Sequence, residues 1–265
     1  MRYLGQHFLR NKNIVKKIAD IAELSKDDVV LEVGPGKGVL TEELLNRAGK
    51  VVAVEKDRNL CDFLKDKFKD EIKEERLILI EGDILKIFDP AGHHPKGDKF
   101  LISNKIPNYK LQTNYKFQIT DKSETNPKSK IQNFKQIQNE KFELPENYKL
   151  VANIPYYITS RFLKIVLQDA EVQPKKMVLM VQKEVAERIF DAPPKSILAV
   201  SVQVYGEPKL VFKVSAGNFS PPPKVDSAVL IIDNTSKKWF NGIKEDEFFA
   251  AVKAGFSKKR KMLLG

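Results

Sequence analysis

The amino-acid sequence predicts an α/β protein built on a doubly wound, mostly parallel sheet, and two observations support this prediction. Through residues 1–90, short apolar runs alternate with amphipathic helical stretches, as in parallel strands joined by helices. The first apolar run, Val29–Val33, ends directly in a glycine-rich turn, which is typical of a buried parallel strand. Right-handed crossovers are expected from this order of elements.

The elements of the amino-terminal part follow from the spacing of their apolar residues. Apolar side chains recur with helical spacing over 11–23, 39–48 and 60–68, which predicts amphipathic helices. The short continuous apolar runs 51–54 and 77–80 lie after the second and third of these helical stretches, and each is predicted to be a further strand.

The alternation stops after Pro90. The segment 91–147 is rich in lysine, asparagine and glutamine, and its part 121–130 resembles a solvated linker. Around 115–119, aromatic and aliphatic residues alternate with polar ones, which is compatible with one short strand. A connection this long is either functional or disordered. A peripheral disordered insert is the favoured interpretation.

The elements predicted after Leu150 continue the same alternation. In chain order they are a strand over 150–154, a helix over 159–167, a strand over 177–181, a helix over 183–190, strands over 197–204 and 225–232, and a helix over 248–256.

Composition and charge exclude several classes of protein. A hydrophobic content of 42% excludes a wholly disordered chain, and no apolar stretch reaches the roughly 18 residues of a membrane span. Cys61 is the only cysteine, which excludes an internal disulfide framework and a cysteine-rich metal site. No signal peptide is recognised, so a soluble, cytoplasmic protein is expected. No metal is expected either. The net charge of +11 favours an anionic partner such as nucleic acid, although a lysine-rich proteome explains it equally well.

The strongest local motif runs from Glu32 to Gly38. Glycines at 34, 36 and 38 allow a tight turn and a close approach of the backbone to a ligand, between a strand and a helix. The motif is not a P-loop, because no Gly-Lys-Ser/Thr follows. It is not the dinucleotide fingerprint either, because position 39 is valine.

Acidic residues end the next two predicted strands. Glu55 lies about twenty residues after the glycines, where a carboxylate can accept ribose hydroxyls. Asp83 follows Gly82, where a carboxylate can accept from an adenine amino group. Each feature alone is more often a tight turn or an exposed acid. Together and in order, they indicate a nucleoside pocket without a phosphate clamp, which suits S-adenosylmethionine.

The second motif is Asn153-Ile-Pro-Tyr156, at the end of the next predicted strand. The lone pair of an adenine amino group is delocalised into the ring, so the group is a poor nucleophile. The Asn153 side-chain oxygen and the Ile154 carbonyl can accept both amino hydrogens and free this lone pair for methyl transfer. Tyr156 can stack on the base.

Five segments of the chain form a recognisable set, namely GQHFL (5–9), VLEVGPGKGVLT (30–41), GDIL (82–85), NIPYYITS (153–160) and NFSPPPKVDSAVL (218–230). Taken together they resemble the ribosomal RNA adenine dimethyltransferases, and most closely the branch that modifies two adjacent adenines near the 3′ end of small-subunit ribosomal RNA. The resemblance implies a class I methyltransferase fold, S-adenosylmethionine as methyl donor, and a small helical carboxy-terminal domain that helps to hold RNA.

The resemblance also implies roles for individual residues. Those expected to bind the cofactor are His7, Leu9, Gly34, Gly36, Glu55, Asp83, Ile84 and Asn153. Those expected at the target base are Asn153, Pro155, Tyr156 and Phe219, with Phe219 closing on the base face opposite Tyr156. No general base is assigned.

The chain departs from the family pattern at three places. His7 stands where the motif more often has asparagine, and the insert 91–147 replaces a shorter connection. The methyltransferase domain is expected over 1–234, with 235–265 only the beginning of the helical domain, so that the chain looks truncated. Lys258, Lys259 and Arg260 near its end are candidates for RNA phosphate contacts.

Other functions stay open on the sequence alone. One alternative is a large-subunit adenine methylase of the macrolide-resistance type. Another is a ribosome-assembly or RNA-binding factor that keeps the fold without catalysis. A small-molecule methyltransferase is disfavoured by the net charge and by the Asn-Ile-Pro-Tyr motif. The expected partner is the assembling small ribosomal subunit. The protein is expected to be a monomer and to have no membrane partner.

Overall fold

A computed structural model describes residues 7–88, 144–170, 172–191 and 193–257 of the chain. The strands are β1 (Phe8–Leu9), β2 (Val29–Val33), β3 (Lys50–Glu55), β4 (Leu77–Glu81), β5 (Lys149–Asn153), β6 (Lys176–Gln182), β7 (Glu207–Val214), β8 (Phe219–Ser220) and β9 (Ser227–Asp233). The helices are α1 (Lys12–Ile21), α2 (Val39–Arg47), α3 (Arg58–Lys67), α4 (Lys69–Lys73), α5 (Ile84–Phe88), α6 (Thr159–Lys164), α7 (Lys183–Phe190), α8 (Ile197–Gln203) and α9 (Glu245–Phe256).

The main sheet has seven strands in the order β4-β3-β2-β5-β6-β9-β7. The first five are parallel, and β9 pairs antiparallel with both β6 and β7. Successive strands progress outward from β2 to β4 on one side and from β5 to β6 on the other. The strand order therefore reverses between β2 and β5, and in such sheets ligands bind at the carboxyl ends of the strands beside this point. The predicted doubly wound α/β fold is confirmed.

Helices cover both faces of the sheet, which explains why its central strands are continuously apolar. Along β2, Leu31 and Val33 pack into one hydrophobic cluster with residues of α6 and α7. Val30 points the opposite way, into a second cluster with residues of α1, α2 and α3. Glu32 alternates with Leu31 and Val33, so its side chain lies on the same face as Val30.

Several helices of the described ranges begin where a polar side chain accepts backbone N–H groups of the first turn. Asn11 caps α1, Asp57 caps α3 and Ser196 caps α8. Such caps satisfy donors that have no partner inside the helix. The predicted helix over 11–23 therefore starts one residue later, at Lys12, because Asn11 serves as its cap.

The strand predicted over 197–204 is wrong, because this segment forms α8. Its fully buried residues are Ala199 and Val202, three positions apart, and Ser196 accepts a hydrogen bond from the Ala199 amide at 3.1 Å. A short apolar run is ambiguous between a strand and a buried helix. The strand of the main sheet that the prediction omitted is β7, which lies at the sheet edge, is largely exposed, and therefore lacks a strong apolar pattern.

Helix α9 packs on α8 through an aromatic cluster. The Tyr205 ring lies 5.4 Å from that of Phe240 and 6.1 Å from that of Phe249, and its hydroxyl donates to the Glu245 carboxylate. The beginning of the predicted second domain thus contacts the helical layer of the sheet. Within the described ranges, no helix is long and apolar enough to cross a membrane.

Candidate active site

A cavity of about 420 Å³ opens where the carboxyl ends of β2, β3 and β5 meet. This volume falls within the usual range of small-molecule sites. The cavity is lined by every predicted site residue that the structure describes, namely His7, Leu9, Gly34, Gly36, Glu55, Asp83, Ile84, Asn153, Pro155, Tyr156 and Phe219. The predicted RNA contacts Lys258, Lys259 and Arg260, the insert 91–147 except its last residues, and Gly5 and Gln6 lie outside the described residues.

The glycine-rich turn forms the floor of the cavity. Gly34 and Gly36 have φ angles of +65° and +60°, a left-handed conformation that strains residues with a Cβ. A Cβ built on Gly34 would meet no protein atom within 4 Å, so bare backbone faces open space there. A Cβ on Gly36 would lie 3.0 Å from the Phe8 ring. Side chains at positions 34 and 36 would therefore reduce the space beside the turn.

A buried carboxyl group lies under this turn. Glu32 is 1% exposed, and its Oε2 has no hydrogen-bond partner in the described part of the chain. Burial raises the pKa of Glu32 to about 8, with a smaller contribution from the charge of Glu55, while the Thr41 hydroxyl opposes the shift. Glu32 lines the cavity, so a cationic ligand group there would stabilise its charged form.

We expect Glu32→Gln to stabilise the ligand-free protein at neutral and higher pH. The folded-state pKa of about 8 exceeds the ordinary value of 4.5, so the folded protein keeps a proton that the unfolded chain loses. The free energy of unfolding of the parent protein should therefore fall as pH rises from 4.5 to 8. Glutamine carries no titrating proton, so the variant should lack this fall.

Denaturant unfolding at several pH values between 5 and 8 measures this difference. Glu42→Gln is the matched control, because Glu42 is an exposed carboxylate on α2. Parallel pH profiles for the parent protein and Glu32→Gln would show that Glu32 is not protonated in the folded state.

Glu55, at the end of β3, is buried but well bonded. Its Oε1 accepts the backbone amides of Lys56 at 2.8 Å and Asp57 at 2.9 Å, and its Oε2 accepts that of Gly36 at 3.1 Å. Burial raises the pKa of Glu55, and these three amides oppose the shift. They occupy three of the roughly four acceptor positions of a carboxylate. The remaining position, on Oε2, is available for one hydroxyl donor.

Asp83 precedes α5 and has two partners of its own. Its Oδ1 accepts the Leu85 amide at 3.1 Å, and its Oδ2 lies 2.9 Å from the Lys56 ammonium. Sequence reasoning missed Lys56, although it directly follows Glu55 and also lines the cavity. An adenine amino group would therefore share the Asp83 carboxylate with a lysine.

The Asn153 motif presents unused acceptors. The Asn153 side chain lines the cavity and forms no hydrogen bond with any described residue. The Ile154 amide donates to the Met180 carbonyl at 3.1 Å, which extends the pairing of β5 with β6 by one residue. No described donor bonds the Ile154 carbonyl, which directly precedes Pro155, the cap of a 3-10 turn. The Asn153 oxygen and the Ile154 carbonyl thus remain free for a ligand.

Tyr156 is held on two sides. Its hydroxyl lies 2.6 Å from the Ser227 Oγ at the start of β9, and its ring stacks at 6.2 Å on that of His7. The His7 Nδ1–H in turn donates to the Pro221 carbonyl at 2.8 Å. Ser227 was missed as a positioning residue, although it lies within the segment 218–230 that carried the resemblance. These contacts fix the plane of the Tyr156 ring.

A small second sheet brings Phe219 to the cavity. Strand β1 pairs antiparallel with β8, with Leu9 opposite Phe219 and Phe8 opposite Ser220. The Arg10 amide also donates to the Asn218 carbonyl at 2.8 Å. This pairing joins the amino-terminal segment to the segment 218–230, and it explains why His7, Leu9 and Phe219 share one cavity.

Comparisons with known proteins identify the family of the chain. A family model described as "Ribosomal RNA adenine dimethylase" matches residues 2–132 and 112–264. Curated relatives named "Ribosomal RNA small subunit methyltransferase A" include one from Dehalococcoides mccartyi, 38% identical over 98% of this chain and 72% of the relative. Another, from Alkaliphilus oremlandii, is 33% identical over 98% of this chain and 75% of the relative.

Two solved structures are similar over nearly the whole chain. A dimethyladenosine transferase from Plasmodium falciparum superposes with a TM-score of 0.66 at 27% identity, over 97% of this chain and 73% of that one. The 23S rRNA methyltransferase ErmE gives a TM-score of 0.63 at 25% identity, over 94% of this chain and 79% of that one. The chain therefore belongs to the ribosomal RNA adenine dimethylase family, and it is an enzyme that depends on S-adenosylmethionine.

Proposed function

We propose that this enzyme dimethylates the exocyclic amino groups of two adjacent adenines near the 3′ end of small-subunit ribosomal RNA. The observation that carries the proposal is the pair of free acceptors, the Asn153 side chain and the Ile154 carbonyl, in the cavity that the glycine turn also lines. The names of the curated relatives support the small subunit as the target. The net charge of +11 suits an RNA substrate.

The residues of the cavity fit S-adenosylmethionine. The bare backbone at Gly34 provides space, the unpartnered Glu32 carboxyl suits a cationic group, and Glu55 has one acceptor position free for a ribose hydroxyl. The residues proposed to hold the cofactor are His7, Leu9, Gly34, Gly36, Glu55, Asp83, Ile84 and Asn153. When bound, the cofactor supplies an electrophilic methyl group on a sulfonium.

The proposed chemistry of the protein is the activation and positioning of the target amine. Asn153 and the Ile154 carbonyl accept its two hydrogens, which draws the nitrogen towards tetrahedral geometry and frees its lone pair. Pro155 begins the turn that presents this carbonyl. Tyr156 and Phe219 are proposed to hold the base between their rings, which offsets the cost of removing it from its stack. We assign no general base, because the amine can lose its proton after it has been methylated.

The proposal includes the organisation of the chain. We assign the methyltransferase domain to 1–234 and the beginning of a helical RNA-binding domain to 235–265, with phosphate contacts at Lys258, Lys259 and Arg260. The protein is proposed to act as a monomer in the cytoplasm, on assembling small subunits. The basic segment at 258–261 is consistent with such an RNA contact.

The test is methyl transfer from labelled S-adenosylmethionine to undermethylated small and large ribosomal particles, followed by mapping of the modified nucleotides. Dimethyladenosine at two adjacent positions of the small particle alone is the expected result. Label confined to large-subunit RNA would instead favour the function named for ErmE. Cofactor binding without any label would favour an assembly factor that does not catalyse transfer.

A further inference from the structure

Tyr157 is an aromatic side chain that the proposed mechanism does not use. It is 67% exposed, more than any other large hydrophobic residue in the described ranges, yet it lines the active-site cavity. Its hydroxyl and ring form no hydrogen bond and no ring contact with a described residue. An exposed aromatic ring beside a nucleic-acid site is a candidate stacking surface, because proteins that bind single strands stack bases on such rings.

The backbone that carries Tyr157 is firmly held. Tyr156 and Tyr157 belong to one 3-10 turn, closed by a 3.0 Å hydrogen bond from the Ile158 amide to the Pro155 carbonyl. Ile158 is buried in the core, and the Tyr156 hydroxyl is fixed by Ser227. The position of Tyr157 is therefore set by the same turn that positions the target-base residues.

Basic side chains line the same cavity as this ring. The pKa of Lys56 is raised chiefly by its hydrogen bond to Asp83, and the nearby Tyr157 hydroxyl adds to the shift. The Lys37 side chain also lines the cavity, with its ammonium 5.3 Å from the centre of the Phe8 ring. The lining of the cavity thus combines an exposed ring with cations that suit phosphates, the combination by which proteins hold single-stranded nucleic acid.

We propose that Tyr157 is the stacking platform for the nucleotide next to the adenine that occupies the cavity. This inference rests on the proposed function, in which the two target adenines are adjacent. Removing one adenine from its stack exposes a face of its neighbour, and an aromatic side chain can cover that face. Tyr157 follows Tyr156 directly, so a dinucleotide can meet both rings while only one base enters the cavity. Tyr157 is therefore a substrate-positioning residue.

The first test compares kcat and KM for undermethylated small ribosomal particles among variants at position 157. Tyr157→Ala is expected to lower kcat/KM about tenfold, mainly through a higher KM, because the stacking contact is lost. Tyr157→Phe keeps the ring and should retain the parent kcat/KM, whereas Tyr157→Leu keeps bulk alone and should resemble alanine. Phe63→Ala, at an exposed aromatic on α3 that does not line the cavity, is the control.

The affinity for S-adenosylmethionine, measured separately, should be the same in all of these proteins. An unchanged kcat/KM in Tyr157→Ala would overturn the proposal, as would a loss in Tyr157→Phe or full activity in Tyr157→Leu. If the parent protein binds the cofactor but labels no particle, the proposed function itself fails.

The second test identifies the contacted nucleotide. Two RNA hairpins carry a target adenine whose neighbour is either adenine or an abasic nucleotide, and their binding to the S-adenosylhomocysteine-loaded protein is compared. The parent protein should bind the intact hairpin about tenfold more tightly, and Tyr157→Ala should remove this difference. Equal binding of both hairpins by the parent protein, or a difference that survives in Tyr157→Ala, would overturn the assignment.

Discussion

Asn153→Ala should reduce methyl transfer about 10²–10³-fold while the protein remains folded. The Asn153 side chain bonds no described residue, so its removal leaves no protein group without a partner. The amine would lose one of its two hydrogen-bond acceptors, and its lone pair would stay delocalised in the ring. Because this contact matters most as the nitrogen becomes tetrahedral, the loss should appear in kcat rather than in KM. Single-turnover transfer to undermethylated small particles measures it.

Two further variants sharpen this prediction. Asn153→Asp keeps an acceptor oxygen at the same position, so it should retain more activity than the alanine variant. Asn59→Ala removes an exposed asparagine on α3 and should leave both activity and stability unchanged. Thermal unfolding confirms that each variant is folded. Turnover by Asn153→Ala within a fewfold of the parent rate would exclude Asn153 from the activation of the amine.

The sequence predicted those site residues that lie at the carboxyl ends of strands. The carboxyl ends of β2, β3 and β5 meet at one edge of a parallel sheet, so residues that end these strands or directly follow them converge whatever their distance along the chain. Gly34, Glu55 and Asn153 each occupy such a position. Their placement needed only the recognition of apolar runs and of the residues that end them.

The contacts that the sequence did not predict join distant segments without a local pattern. The bond from His7 to Pro221 spans 214 positions, and that between Tyr156 and Ser227 spans 71. Lys56 gave no signal beyond its position after Glu55, because its bond to Asp83 depends on the alignment of two strands. The resemblance to a family placed His7 and Phe219 near one ligand, but only the pairing of β1 with β8 shows how they meet.

Helix α8 shows a different limit of sequence reasoning. The segment 197–204 is almost wholly apolar, and such a run carries no periodicity that separates a helix from a strand. Ser196 was the available signal, since its side chain caps the helix. An exposed edge strand such as β7 is equally hard to predict, because neither of its faces is fully buried.

The second large effect is expected at Glu55. Glu55→Ala should weaken the binding of S-adenosylmethionine about 10–100-fold, because a charged acceptor is lost from a buried site. The variant should also be less stable, since the amides of Gly36, Lys56 and Asp57 lose the carboxylate that accepts them. Calorimetric titration gives the affinity, and thermal unfolding without ligand gives the stability.

The two effects of Glu55→Ala can be separated by the pH dependence of the parent protein. Burial raises the pKa of Glu55 above 4.5, so acidification should protonate the carboxylate while the pH is still above that value. Cofactor affinity should then fall as the pH drops, and it should fall by more in the parent protein than in Glu55→Ala, which lacks this carboxylate. Asp62→Ala, which removes an exposed carboxylate from α3, should bind the cofactor as tightly as the parent. An affinity for S-adenosylmethionine that is unchanged in Glu55→Ala would remove Glu55 from the cofactor site, and would leave its carboxylate the single role of ordering the glycine turn.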